Sequence, residues 1–218
     1  MEISSTATNH AEIARWVNSI VVPRPIAWVT SSSAAGVNNL SPFSFFQIVS
    51  IEPAIIMISF SDERDSYLNV LDTKEFVINS VTTENVDTAV LSSADVDAGT
   101  DEARLLGLAL AESVVVAVPR LATTRTALEC RFLSLTRVGS GRVVFAEVVH
   151  VYVADSLLDE QRRIDVREFA PVGRMGSNFY AVSDSPRSID RPTSEELLAW
   201  VTGTRGSDTD LPSGAGPS

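Results

Sequence analysis

The chain has 218 residues, of which 44% are hydrophobic, so it is long enough for one large domain with a substantial core. Its 17 Lys and Arg residues against 28 Asp and Glu residues give a formal net charge of −11, which disfavours nucleic acid and anionic membrane surfaces as partners. Cys130 is the single cysteine, which excludes an internal disulfide and a cysteine-based zinc cluster and suggests a small buried side chain. No apolar run has the length of a membrane span and the N-terminus lacks a signal pattern, so we expect a cytoplasmic protein.

The first half of the sequence predicts a helix, then strands, with a second helix among them. Asn9, with Glu12 three residues later, has the form of a capping box and predicts a helix through residue 20. Ser66 is predicted to be the N-cap of the second helix. The extended and β-branched segments predict strands over residues 26–31, 37–50, 53–61 and 75–81.

The second half of the sequence predicts a long hairpin that follows a helical stretch. Residues 84–112 are helical by pattern, with Gly99 between two short helices. Strands are predicted over residues 113–119, 126–138 and 142–155, the last two joined by a turn at residues 139–141. Closely spaced strands with few helices between them favour a mainly antiparallel β-barrel with peripheral helices over a doubly wound sheet.

The usual catalytic motifs are missing from this sequence. It contains no dinucleotide-binding G-x-G-x-x-G after a strand, no Walker A sequence and no H-E-x-x-H. His10 and His150 are the only histidines, which gives poor support to a histidine-based metal site or to a Ser–His–acid triad. We therefore expect no metal and no catalytic side chain, and an enzyme of this composition would need a cofactor to carry its chemistry.

Two segments have the residue types of a ligand site. The first, "NLSPFSFF" at residues 39–46, interleaves hydroxyl groups with phenylalanines, and Pro42 is expected to interrupt the strand ladder and free backbone groups. Alternation in a strand predicts that Ser41, Phe43 and Phe45 share one face, and that Pro42, Ser44 and Phe46 share the other. Together with the second segment, described next, these groups would suit a flat heteroaromatic ring with a phosphate tail.

The second segment is "RDS" at residues 64–66. If Ser66 caps a helix, the free N–H groups of its first turn could bind an anion, and Arg64 could clamp that anion. Asp65 would oppose an anion if it pointed inward, and it could instead pair with Arg64 or support the cap. An ordinary capped helix also accounts for these three residues.

At this point the sequence resembles the flavin reductase-like family of the FMN-binding split-barrel superfamily, in its flavoredoxin-like branch. The matching stretches occur in the family's order over about residues 12–192, and they are "PRPIAWVTS" (23–31), "NLSPFSFFQIVSIEP" (39–53), "RDSYLNVLDTKEFVINSV" (64–81), "LECRF" (128–132), "AEVVHVYV" (146–153), "PVGRMGSNFY" (171–180) and "RP" (191–192).

The resemblance implies a six-stranded antiparallel Greek-key barrel that forms a homodimer and binds one FMN, or FAD, per subunit near the dimer interface. It implies an oxidoreductase in which the flavin takes hydride from NAD(P)H and is supplied, reduced, to a partner monooxygenase or another acceptor. Two other interpretations stay open. The flavin protein could act directly on an organic substrate or carry electrons, or it could be a non-enzymatic flavin-binding dimer.

The resemblance also implies a set of cofactor-binding residues. These are Arg24, Trp28, Thr30, Asn39, Ser41, Pro42, Ser44, Phe45, Phe46, Arg64, Ser66, Arg174 and Tyr180. Asn79 matches a frequent family asparagine that either touches the cofactor or ties strands together. Arg142 stands about where many relatives have a histidine, and Ala146 replaces a common glycine, so the use of NAD(P)H could differ here.

The resemblance and the composition together divide the chain into four parts. We predict a flexible N-terminus at residues 1–11, a flavin reductase-like split-barrel domain at 12–192, a short C-terminal helix at 193–201 and a disordered tail at 202–218.

Overall fold

The computed structural model describes residues 2–4, 9–183 and 185–203. Most of the predicted disordered tail, and part of the predicted flexible N-terminus, therefore lie outside the described residues, and the domain boundaries stay predictions. The chain separates into two compact units, Met1–Ser183 and Asp184–Ser218. The second unit contains one described helix, α6 (Ser194–Gly203), and everything below concerns the first unit.

The described helices of the first unit are short, and those after α1 lie between strands in the sequence. They are α1 (His10–Ile20), α2 (Asp65–Thr73), α3 (Val86–Leu91), α4 (Glu102–Leu105) and α5 (Val166–Phe169), with one 3-10 turn at Asp155–Leu157. The predicted start of α1 is confirmed, because the Asn9 side-chain oxygen accepts a hydrogen bond from the Glu12 N–H at 2.8 Å. None of the helices in the described ranges is long and apolar enough to cross a membrane.

The strands form one large antiparallel sheet and two small ones. In chain order they are β1 (Arg24–Pro25), β2 (Ala27–Ser32), β3 (Asn38–Phe43), β4 (Phe46–Ile51), β5 (Ala54–Phe60), β6 (Glu75–Asn79), β7 (Leu110–Ala111), β8 (Arg120–Leu121), β9 (Thr126–Val138), β10 (Gly141–Val153), β11 (Val172–Arg174) and β12 (Tyr180–Val182). The large sheet has the order β3-β2-β6-β9-β10-β5-β4, and the small ones are β1-β11-β12 and β7-β8. The predicted mainly-β fold is confirmed.

The hairpin β9–β10 is the longest element and forms the centre of the sheet. Its predicted strands and turn are confirmed, and Gly139 adopts a φ of +58°, the left-handed conformation that a glycine accepts at little cost. Cys130 on β9 is fully buried, as predicted, and burial raises the pKa of its thiol. The main core lies against this hairpin and is built around Phe60, Phe76 and Val144.

The predicted strand over residues 113–119 is wrong, because these residues form a loop around a carboxylate. The Glu129 side chain accepts hydrogen bonds from the N–H groups of Val114 (2.8 Å), Val115 (2.6 Å) and Val116 (3.0 Å). Three consecutive amides that converge on one acceptor cannot also alternate in a strand ladder. The apolar composition of the segment predicted a strand, but the buried acid decides its conformation.

The extended segment predicted over residues 37–50 is divided into two strands, so the large sheet has seven strands where the resemblance implies six. The chain bends at Ser44 and Phe45, and β3 and β4 then form opposite edges of the sheet. Phe43 and Phe46 consequently pack against the same core cluster, which corrects the prediction that they lie on opposite faces. Pro42 does not interrupt the pairing of β3 with β2, since an edge strand tolerates proline.

Candidate functional site

Two adjoining cavities lie where β3, α2 and α3 meet. The first has a volume of about 250 Å³ and the second about 540 Å³, and their walls share Pro42, Phe43 and Ser93. The chain bend at residues 44–45 brings the end of β3 to this junction. The shared wall means that one elongated ligand could occupy both cavities.

The walls of the first cavity combine apolar and polar side chains. One wall comes from α3, through Val86, Ala89 and Val90, and the polar groups at the edge come from Ser44, Arg174 and Tyr180. The last two residues are direct partners in the β11–β12 ladder. The guanidinium of Arg174 lies 4.6 Å from the centroid of the Tyr180 ring and donates a hydrogen bond to the Tyr180 hydroxyl. This pairing fixes both side chains in the wall of the cavity.

Arg24 lies behind the bend rather than in either cavity wall. It donates hydrogen bonds to the carbonyl oxygens of Asn18 (2.7 Å) and Val21 (2.8 Å), and its Nε reaches Ser44 Oγ at 3.5 Å. Burial and then the charge of Arg174 lower the pKa of Arg24. Phe45, whose ring centroid lies 5.8 Å from this guanidinium, is about half exposed. Arg24 therefore supports the bend that carries Ser44 into the site.

Trp28 and Thr30 are interior residues of β2, and neither lines a cavity. Trp28 Nε1 donates to Ser92 Oγ at 2.9 Å, and Thr30 Oγ1 accepts from Asn79 Nδ2 at 3.0 Å. Asn79 also bonds the carbonyl of Trp28 and the N–H of Leu121, so it ties strands together. The side chains of β2 are enclosed because both faces of the strand are packed, with Val29 in the main core cluster and Trp28 in a second buried cluster. Phe46 likewise packs into the core, so its side chain is a packing group.

The second cavity opens at the N-terminus of α2, where the predicted cap is wrong. The N-cap residue is Arg64 and the helix begins at Asp65, so Ser66 lies inside the first turn and is buried. Ser66 Oγ donates to Asn39 Oδ1, and Asn39 Nδ2 donates to both carboxylate oxygens of Glu102, at 2.8 and 2.9 Å. The N–H of Leu40 donates to Glu102 Oε2 at 2.8 Å. Asn39 and Ser66 are thus held by a carboxylate that lies 36 residues beyond Ser66 in the sequence.

The charges around the second cavity are mostly negative. Among the described residues of its wall, five are acidic and Arg64 is the basic one, and the acids are Asp62, Glu63, Asp65, Asp95 and Glu102. Arg64 pairs with Asp95 in a two-pronged contact and with Asp62, whose Oδ2 lies 3.3 Å from Arg64 Nε. The hydrogen bond that Arg64 donates to Asp95 is the main reason that the pKa of Arg64 is raised. Asp65 does not pair with Arg64 but accepts from the N–H of Gly99 at 2.7 Å.

Arg142 contacts three residues that line the second cavity. Its Nε donates to Glu63 Oε1 at 2.9 Å, its Nη1 donates to the Ser61 carbonyl at 2.9 Å, and its guanidinium lies 6.0 Å from the centroid of the Tyr67 ring. Arg137 binds the same Glu63 oxygen at 2.7 Å. The hydrogen bond from Arg142, followed by that from Arg137, lowers the pKa of Glu63. Arg142 thus fixes the segment before α2 to the central hairpin.

Comparison with known proteins identifies the family. A family model described as "Flavin reductase like domain" matches residues 19–169. The chain belongs to this family. It is also 35% identical over 185 residues to an uncharacterized protein of Aquifex aeolicus, with 83% of this chain and 94% of that protein covered.

Solved structures support the same assignment for this flavin reductase-like chain. The 2-nitrobenzoate 2-nitroreductase NbaA of Pseudomonas fluorescens superposes with a TM-score of 0.82 at 28% identity, covering 89% of this chain and 98% of that one. A protein of Shewanella frigidimarina with a split barrel domain superposes with a TM-score of 0.78 at 20% identity, covering 88% of this chain and all of that one. At this identity the similarity supports the fold and not the function. The fold is therefore that of a flavin reductase-like split barrel.

The residues that line the two cavities suit a flavin, with one exception. The apolar walls of the first cavity suit the flavin ring, and Ser44, Arg174 and Tyr180 offer polar groups at its edge. The second cavity offers hydroxyl groups and the start of α2 to a polar tail. The exception is the acidic wall, which opposes a phosphate. In the described part of the chain, no cluster of three or more His, Cys, Asp or Glu side chains could hold a metal ion.

Sequence reasoning missed several residues of this site. Phe43 lies in the quoted segment but was not assigned, and Val90, Asp95 and Glu102 come from the region predicted only as two short helices. The helical pattern of residues 84–112 contained α3 and α4 but carried no signal for their position beside β3. Asp101, which caps α4 through the Arg104 N–H, was the local signal that a helix starts near Glu102.

Proposed function

We propose that this chain binds FMN across the two cavities and acts as an NAD(P)H-dependent flavin oxidoreductase. The observation that carries the proposal is the junction of an apolar cavity and a hydroxyl-lined cavity at the end of β3, in a chain of the flavin reductase-like family. FAD contains the same ring and ribityl phosphate, so it is the alternative flavin for these cavities.

The residues divide into groups that would hold the ring and groups that would hold the tail. Phe43, Val86 and Val90 would pack against the ring, while the Arg174–Tyr180 pair would bind polar atoms at its edge. Ser41, Arg64 and Ser66 line the second cavity, where Ser41 would lie between ring and phosphate and the other two would lie at the phosphate. The Arg24–Ser44 contact would keep the bend rigid, since a displaced bend would move both Ser44 and Phe43.

Catalysis by such a site is mainly positioning. The flavin, when bound, supplies the hydride-accepting chemistry that no side chain can supply. The chain orients the ring between α3 and β3 and excludes water from the ring through the apolar wall. Reduced flavin would then pass to a partner monooxygenase or to another acceptor.

The experiment that tests this function is anaerobic reduction of flavin by the purified protein. The protein is mixed with FMN and then with NADH or with NADPH, and the visible absorbance band of oxidised flavin is followed over time. We expect the band to bleach with one of the two donors much faster than in the same mixture without protein. An unchanged rate with both donors would refute the proposed function.

A second function is favoured by one comparison and one residue. The structure of NbaA, which is named as a 2-nitrobenzoate 2-nitroreductase, superposes closely on this chain, and Arg142 stands where many relatives are expected to have a histidine. The flavin protein would then reduce a bound organic compound, such as a nitroarene, directly. Flavin that stays bound through gel filtration, together with faster consumption of a nitroarene than of free flavin, would favour this function over flavin supply.

We also propose that the chain works as a homodimer in the cytoplasm. Support for a dimer comes from β4, an edge strand whose Ile48, Val49 and Ile51 side chains are 58%, 48% and 81% exposed. Light scattering should give the mass of two chains for the wild type and of one chain for Ile48→Lys. Val138→Lys, which changes an exposed residue at the end of the hairpin, should remain dimeric. A monomeric wild type would contradict the proposal.

A further inference from the structure

The second cavity has an unusual charge balance for a site that receives a phosphate. Five carboxylates and one guanidinium stand in the part of its wall that the structure describes. A phosphate monoester carries close to two negative charges at neutral pH, so each carboxylate at this distance raises the cost of binding it. Arg64 is the group that offsets this cost, and its availability therefore controls affinity at this end.

Arg64 is already occupied by a carboxylate that can leave. Its guanidinium contacts both carboxylate oxygens of Asp95, with 3.4 Å between Nη2 and Oδ2, and it reaches Asp62 with Nε. The two side chains of the main pair are 61% and 79% exposed. Exposed ion pairs are weak, so a phosphate that presents two oxygens to the same guanidinium can replace Asp95.

We propose that Asp95 is a specificity-determining residue that competes with the flavin phosphate for Arg64, so that flavin is exchanged rather than held permanently. This inference rests on the proposed function, because it needs the phosphate at the start of α2. In this proposal the acidic residues that line the second cavity limit the affinity for FMN. A protein that supplies reduced flavin must release it, and a competing carboxylate shortens the time that the phosphate stays bound.

The loop that carries Asp95 can stay in place during the exchange. The Asp65 carboxylate accepts from the N–H of Gly99 at 2.7 Å, and Ser92 Oγ accepts from the buried indole N–H of Trp28 at 2.9 Å. These two contacts anchor the loop on either side of Asp95. Exchange therefore requires only a rotation of the Asp95 side chain, and it costs no more than one exposed ion pair.

The test compares two flavins and two variants. Asp95→Asn removes the competing charge, and Asp97→Asn removes the same charge from an exposed side chain on the same loop. Riboflavin has the ring and ribityl chain of FMN but no phosphate. We expect Asp95→Asn to tighten FMN binding about two- to fivefold, as measured by quenching of flavin fluorescence, because an exposed pair has that strength. Riboflavin affinity should be unchanged in both variants, and Asp97→Asn should tighten FMN binding less than Asp95→Asn does.

A third variant tests whether the effect runs through Arg64. In an Arg64→Gln background, Asp95→Asn should no longer tighten FMN binding, since the competition has been removed. Equal effects of Asp95→Asn and Asp97→Asn, an equal effect on riboflavin, or an unchanged FMN affinity would each overturn the role of Asp95 while leaving FMN binding established. A wild-type protein that binds neither flavin would instead refute the proposed function, and this inference with it.

Discussion

Two buried carboxylates, Glu129 and Glu102, have opposite electrostatic surroundings. Glu129 lies under the loop of residues 113–118, where burial alone would raise its pKa, but three backbone N–H groups and then His150 lower the pKa overall. Glu102 lies at the second cavity, where burial raises its pKa in spite of the hydrogen bonds from Leu40 and Asn39. Asp65 adds to the rise.

The difference separates a structural carboxylate from one at a binding site. Glu129 is fully compensated, because the loop folds around its charge and donates three backbone N–H groups to it. Glu102 has a fixed partner in Asn39, yet it faces a cavity that contains four other acids. A buried carboxyl whose neighbours disfavour its charge marks a place where a ligand can change the balance.

The largest expected effect is the loss of stability in Glu129→Gln. The amide of glutamine presents a donor where the carboxylate accepts, so at least one backbone N–H stays unsatisfied and the free energy of unfolding should fall by about 3 kcal/mol at neutral pH. The pKa of Glu129 is lowered in the folded protein. Its contribution to stability is therefore fully present above the ordinary carboxyl pKa, and it is lost as the pH falls through the pKa of the folded state. Denaturant unfolding at several pH values measures this.

Glu147→Gln is the matched control for that measurement. Glu147 lies on the same hairpin with an exposed side chain, so its change should stay within about 0.5 kcal/mol. The flavin affinity of folded Glu129→Gln should equal that of the wild type. An equal loss of stability in both variants, or a loss that grows toward acid pH, would contradict the role given to the three amides.

The second largest effect is a change in flavin affinity on substitution of a residue that lines the first cavity. Val90→Phe places a ring in the wall of the first cavity and should weaken FMN binding at least about tenfold, or roughly 1.4 kcal/mol, with little change in stability. Leu91→Phe makes a similar change at the neighbouring, 62% exposed position of α3 and should leave affinity unchanged. Fluorescence titration compares the two variants. Equal affinities would mean that the flavin ring does not occupy this cavity.

The smallest effect is the pH dependence of Glu102→Gln. Glutamine resembles the protonated acid, and Asn39 can turn its amide to match it, so both proteins should have unfolding free energies within about 1 kcal/mol at acid pH. The pKa of Glu102 is raised in the fold, so the wild type loses stability as pH rises through that value. The free energy of unfolding of Glu102→Gln should therefore rise relative to that of the wild type as the pH increases toward neutral. A constant difference between them would show that Glu102 ionises without cost.

Local sequence patterns predicted the parts of the fold that local interactions decide. The α1 cap needs only Asn9 and Glu12, and the β9–β10 hairpin needs only alternation around Gly139. The strand prediction for residues 113–119 failed because the conformation of this segment depends on Glu129. That carboxylate lies on another element, β9, so the local pattern of the segment does not contain it. The prediction of one extended segment over residues 37–50 failed for a similar reason. The bend at Ser44, which separates β3 from β4, depends on Arg24 and on the packing of Phe43.

Some of the residues that the family resemblance implies do line the two cavities, and these are Asn39, Ser41, Pro42, Ser44, Arg64, Ser66, Arg174 and Tyr180. Trp28 and Thr30 belong to the same motifs, but a motif does not say which way a strand residue points. Val90 and Asp95 were missed because only the packing of α3 against β3 brings them to the cleft. Their contacts with ligand stay predictions.

The central claim is that FMN occupies the two cavities with its phosphate at Arg64, and an experimental structure of the chain with FMN tests it most directly. We predict the ring between Phe43 and Val90, the phosphate beside Arg64 and Ser66, and Asp95 turned away from Arg64, with the three amides at Glu129 unchanged. A flavin bound elsewhere on the chain, or a phosphate remote from Arg64 with the Arg64–Asp95 pair intact, would contradict it.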